Sequence, residues 1–144
     1  MNTDKLIETL KQAEGYSLIP YKDKYGNETV GYGHLLHEAG HRAISHDEAE
    51  DLLRIDATTA LHGAESFPFW PMIEADDVRA RVIVEMVFNL GREGVHRFVK
   101  MASAIARQEW NAASSEILAS KAAKQLKGRY QRLATMMRTG SDVS

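Results

Sequence analysis

An α+β fold, predominantly α-helical, is predicted for this chain of 144 residues. Three observations carry the prediction. The N-terminus has an apolar pattern of helical period, two extended segments joined by turn residues follow it, and capped helical patterns fill the chain from residue 45 onward. With 44% hydrophobic residues and no repeat or biased stretch, the chain has the length and composition of one ordinary globular domain over 1–144.

The run Thr3 to Ala13 places Leu6, Ile7, Leu10 and Ala13 on one helical face, and Gly15 stands where a left-handed residue would stop the helix, so Glu14 ends it. Tyr16 to Tyr21 reads as extended chain, Lys24-Tyr25-Gly26-Asn27 as a turn, and Glu28 to Tyr32 as the returning strand of a hairpin. Pro20 cannot donate to a ladder and marks an edge strand, while Gly26, Gly31 and Gly33 let backbone approach a ligand closely. Ser45-His46-Asp47-Glu48 has capping-box form and opens a helix with Ala49, Leu52, Leu53, Ala57, Ala60 and Leu61 on one face. Pro68-Phe69-Trp70-Pro71 breaks the chain. Asp76-Asp77 then start a very apolar helix, Val78 to Leu90, that stops at Gly91 and belongs at the centre of the core. Shorter helices are expected around Phe98–Gln108, Trp110–Ala119 and Arg129–Arg138, with Trp110 as a packing anchor.

The chain has no cysteine, which removes a disulfide framework, thiolate catalysis and a cysteine-based zinc site. Its N-terminus is polar and its most apolar run, Val82 to Leu90, is interrupted by Glu85 and Asn89, so neither a signal peptide nor a membrane span is expected. The net charge of −2 is unevenly distributed. Residues 1–96 hold 9 Lys+Arg against 17 Asp+Glu, a balance of −8, and residues 97–144 hold 9 against 3, a balance of +6. Lys121, Lys124, Lys127, Arg129, Arg132 and Arg138 could draw an anionic envelope such as the outer-membrane surface, or simply form a solvated helix face. No nucleic-acid reading motif accompanies them.

Chemistry concentrates near the N-terminus. Glu14, Asp23 and Thr29 fall within sixteen residues, at a helix end and on the two arms of the hairpin. Glycoside hydrolysis needs one acid to protonate the leaving oxygen and one carboxylate to manage positive charge at the anomeric carbon, and this trio offers both with a hydroxyl beside them. Taken singly, each residue is an ordinary capping or surface choice. Jointly, the pattern Glu14, Asp23, Thr29-Val30-Gly31-Tyr32-Gly33-His34-Leu35-Leu36 resembles the active-site segment of the phage-type lysozymes, glycoside hydrolase family 24. Asp47-Glu48-Ala49-Glu50, Met86 to Gly91, Gly94-Val95, Phe98, Trp110 and Arg138-Thr139-Gly140 extend the resemblance along most of the chain.

The resemblance implies a lysozyme-like two-lobed fold. A small β lobe would span about 15–45, a linking helix about 46–62, and a helical lobe about 63–144 with the first helix, 3–14. It implies an inverting muramidase acting on peptidoglycan without metal or cofactor: Glu14 as general acid, Asp23 as the carboxylate assisting water or stabilising the transition state, Thr29 as the hydroxyl positioning that water. Gly33, Leu35 and Phe88 match positions lining the saccharide cleft, Arg129 matches an arginine paired with the catalytic glutamate, and His34 with Asp56 matches a supporting pair. Met101 and Glu116 stand where the family has a sugar-contacting serine and asparagine, Ala122 replaces a family tryptophan, and the stretch from Leu36 to Ser45 is shorter. The implied setting is a monomeric phage endolysin, held in the host cytoplasm until a holin releases it to the periplasm.

Other classes compete. His37-Glu38-Ala39-Gly40-His41 satisfies the H-E-x-x-H zinc pattern, but Gly40 inside it and the new cap at Ser45 leave no room for the long helix such a site needs. A lytic transglycosylase would need only the glutamate, and a non-catalytic peptidoglycan-binding protein could discard it.

Overall fold

The computed structural model describes residues 1–22, 28–32, 34–35 and 43–143. Among them the chain is α+β and predominantly helical: α1 (Thr3–Glu14), β1 (Ser17–Lys22), β2 (Glu28–Gly31), β3 (His34–Leu35), α2 (His46–Glu65), α3 (Asp77–His96), α4 (Val99–Ala106), α5 (Trp110–Leu118), α6 (Lys121–Gln125) and α7 (Lys127–Thr139). It divides into two compact units, Thr3–Thr59 and Ala60–Ser144 with Met1–Asn2, and the boundary falls within α2. The first helix falls in the unit that holds the sheet.

In the unit Thr3–Thr59, α1 buries Leu6, Ile7 and Leu10 and ends at Gly15, whose φ of +70° only glycine adopts without strain. The antiparallel sheet has the order β1-β2-β3, with Tyr21 and Leu35 flanking Thr29 on either side. β1 lies at an edge, as Pro20 requires, and its pairing with β2 is irregular between Ser17 and Tyr21. The capping box forms: Glu48 N–H donates to Ser45 Oγ at 3.1 Å, and Ser45 N–H to Glu48 Oε1 at 3.4 Å. A side chain on Gly31, at φ +65°, would meet Ala49 Cβ at 3.3 Å, so the sheet and the first turn of α2 approach through a glycine.

In the unit Ala60–Ser144, Phe67, Phe69, Trp70 and Ile73 are buried around a short 3₁₀ turn, Trp70–Met72. The proline-flanked break is thus a packed aromatic turn, with Phe67 stacked on Phe69 at 5.1 Å and the Arg92 guanidinium over Phe67. Asp76 caps α3 by accepting from Arg79 N–H, and α3 buries every residue from Ala80 to Val87. Its helical course is interrupted at Gly91, where φ is +75° and ψ 162°. α5 and α7 pack on this core through Ala113, Ile117, Tyr130, Leu133 and Met137. Arg79 also holds the end of α7: its Nε donates to Met137 O at 2.7 Å and its Nη2 to Arg138 O at 3.1 Å, while its guanidinium lies 4.1 Å from the Trp110 ring centre. The packing role expected of Trp110 therefore includes a cation on its face. Among the described residues no helix is long and apolar enough to cross a membrane.

Candidate functional site

Glu14 is the last residue of α1 and is half-buried, with Oε1 sealed from solvent. Thr29 lies in the central strand and is 3% exposed. Its Oγ1 is buried and has no hydrogen-bond partner among the described residues. Leaving such a group unsatisfied costs about 1–3 kcal/mol, so the position is held against a penalty that a bound water or ligand oxygen would relieve. Asp23 directly follows the last residue of β1 and lies outside the described residues, as does Gly33. Leu35 is in β3, paired with Thr29.

His34 and Asp56 come together: His34 Nδ1 is 2.8 Å from Asp56 Oδ2, tying β3 to α2. Beside the sheet, the Tyr16 ring packs against Tyr32 at 4.7 Å and stacks on His46 at 5.2 Å, and its hydroxyl bonds His46 Nδ1. Burial and the neighbouring Tyr32 hydroxyl push the Tyr16 hydroxyl up from its ordinary value. Lys11 Nζ contacts Glu50 Oε1 at 2.5 Å, and that hydrogen bond pulls the Glu50 carboxyl below the usual carboxylate range. This aromatic and ionic cluster has no single-residue signature, because it joins α1, the sheet end and α2.

The second unit holds the remaining candidates. Glu85, 2% exposed in α3, accepts from Arg129 Nε at 2.9 Å and from Arg132 Nη2 at 2.5 Å. Arg129 and Arg132 therefore turn inward, whereas Lys121, Lys124, Lys127 and Arg138 are exposed. A buried carboxylate is tolerated where two guanidiniums answer it. Asn89, the other polar break in the apolar run, accepts from the Tyr130 hydroxyl at 2.7 Å. The partnership of Glu85 with α7 was missed from sequence, though a charged residue inside an otherwise apolar helix was its signal. Phe88 is half-buried on α3. Met101, fully buried on α4, and Glu116, half-buried on α5, line one surface pocket of about 380 Å³.

The His37–His41 motif lies outside the described residues. Among those that are described, no group of three or more His, Asp and Glu is placed to hold a metal ion.

A sequence model described as phage lysozyme matches residues 11–136. Two proteins of Dictyostelium discoideum are similar over nearly their whole length. "Probable T4-type lysozyme 2" is 29% identical, covering 94% of this chain and 95% of its own, and "Probable T4-type lysozyme 1" is 28% identical, covering 93% and 94%.

Proposed function

The chain belongs to the phage lysozyme family, whose members are lysozyme-like peptidoglycan hydrolases, and on that premise we propose a muramidase that hydrolyses the β-1,4 bond between N-acetylmuramic acid and N-acetylglucosamine. The observation that carries the reading is the Thr29 hydroxyl, buried in the central strand with no partner among the described residues. A hydroxyl in that state is suited to fix a water molecule, and hydrolysis by inversion requires a fixed water on the face opposite the leaving group.

In this proposal Glu14 protonates the leaving oxygen, Asp23 draws a proton from the water as it attacks, and Thr29 orients that water. The proton given up by Glu14 goes to the departing sugar hydroxyl, and the water supplies the new anomeric hydroxyl. His34 and Asp56 keep the strand that follows Thr29 in register. Gly33, Leu35, Phe88, Met101 and Glu116 are assigned to the saccharide by their match to the family's positions, and Arg129 to support of the acid. The exposed cations at Lys121, Lys124, Lys127 and Arg138 would attract an anionic wall or outer-membrane surface, more weakly as salt rises. An endolysin role, with release by a holin, belongs to the same proposal.

Incubation with purified sacculi tests reaction and bond together. A new reducing muramic acid end supports the reading. A 1,6-anhydro end would replace it with a lytic transglycosylase, and absence of cleavage with a binding protein. An initial α-anomer, followed by NMR before mutarotation, checks inversion of the β-linkage.

A further inference from the structure

Glu14 is carried by a turn with little packing of its own. α1 ends at Glu14 and β1 begins at Ser17, so only Gly15 and Tyr16 stand between them. Gly15 has φ +70°, and among the described residues a Cβ placed on it would meet nothing within 4 Å. The turn must therefore be held through its neighbours.

Two side chains hold it, one on each side of the acid. Three residues before Glu14, Lys11 Nζ reaches Glu50 Oε1 at 2.5 Å; two residues after it, the Tyr16 hydroxyl bonds His46 Nδ1. His46 and Glu50 are four residues apart in α2 and so share one face of that helix. Tyr32, directly after β2, joins the two ties, with its ring 4.7 Å from that of Tyr16 and 5.9 Å from Lys11 Nζ. The contacts close a ring through α1, the sheet and α2. Tyr16 nevertheless stays 40% exposed, so these contacts fix a direction more than they bury apolar surface.

We infer that Tyr16 is a positioning residue: clamped between His46 and Tyr32, it fixes the direction in which the turn at Gly15 presents Glu14 to the glycosidic oxygen. The inference rests on the role proposed above for Glu14 and extends it to the group that aims it. A misplacement of about 1 Å can cost about 10²-fold in rate, so a clamp that adds little to stability can still matter for turnover.

Steady-state kinetics on soluble glycan strands, run well below the thermal midpoint of each variant, separate aim from stability. Tyr16→Ala should lower kcat about 10- to 10²-fold with KM little changed. Tyr16→Phe keeps the ring and drops the hydroxyl; it should lose about three- to tenfold, the hold of one hydrogen bond, and it carries the test if the alanine variant does not fold. His46→Leu should cost a similar factor, and Tyr16→Phe with His46→Leu together no more than about the larger single loss, because both remove the same bond. His46→Asn, whose amide can stand where Nδ1 does, should keep most of kcat. A folded Tyr16→Ala protein with kcat intact, a loss carried by KM alone, or factors that multiply in the double variant would each overturn the inference. Those outcomes presuppose cleavage by the intact protein and strike the inference alone. If the intact protein leaves the glycan uncut, the muramidase reading fails first and the inference falls with it.

Discussion

Two buried hydroxyls contrast the halves of the chain. Ser114, in the unit Ala60–Ser144, is 4% exposed and donates to Ala134 O at 2.7 Å, joining α5 to α7. Thr29, in the unit Thr3–Thr59, is 3% exposed and donates to nothing among the described residues. The difference extends beyond the pair. Glu85, Arg81 and Asn89 each meet partners of matching chemistry inside the helical unit. In the function proposed above, Ser114 belongs to a scaffold that satisfies its polar groups in advance, whereas Thr29 is kept back for the water it orients.

Substitutions can break or sharpen that contrast. The largest effect is expected at Glu14→Gln, which keeps shape and removes the proton donor: turnover on sacculi should fall about 10²–10⁴-fold with the thermal midpoint retained. Undiminished lysis would remove Glu14 from the mechanism. Next comes Glu85→Ala, which strips two arginines of a shared carboxylate and should cost about 3–5 kcal/mol in urea unfolding. The two hydroxyls should then part company. Thr29→Val should lower turnover by about 10²-fold, as loss of water positioning can, with stability equal or improved. Ser114→Ala should do the reverse, costing about 1 kcal/mol of stability while leaving turnover alone. If Thr29→Val proved as destabilising as Ser114→Ala, the contrast between the units would fail.

The smallest effect concerns acid. The Lys11 hydrogen bond holds the Glu50 carboxyl below the usual carboxylate range, so the pair's contribution is present above the ordinary value and is lost as pH falls through the lowered one. Lys11→Met should therefore narrow the gap in melting temperature between pH 7 and pH 3, by a small amount because both side chains are well solvated.

Much of this was legible beforehand wherever one short segment carries its own reason. Gly15 after an amphipathic run and Ser45 three residues before Glu48 each specify a boundary locally, and each boundary stands in the structure, while Gly91 marks an interruption inside α3 and not its end. Features that depend on distant residues were not legible. β3 exists because Leu35 and His34 find Thr29 and Val30, and two residues have no pattern of their own. α6 is five residues long, capped by Ser120, and too short for periodicity to register. The same holds at the candidate site. Glu14 and Thr29 were conspicuous by spacing, but the pocket shared by Met101 and Glu116 required two helices to be placed first. Of the six C-terminal cations, only the position of Glu85 shows which two face inward.

The bonds from α3 to α7 also bear on how the molecule is made. Glu85 and Asn89 leave the ribosome some forty residues before Arg129, Tyr130 and Arg132, which satisfy them. Until those residues emerge, α3 carries a carboxylate and an amide with no counterpart, and it cannot settle into its final packing. The helical unit is therefore completed only once α7 has been made. A nascent chain arrested at Lys127 should remain open to protease across α3, while one arrested beyond Gly140 and clear of the exit tunnel should resist it.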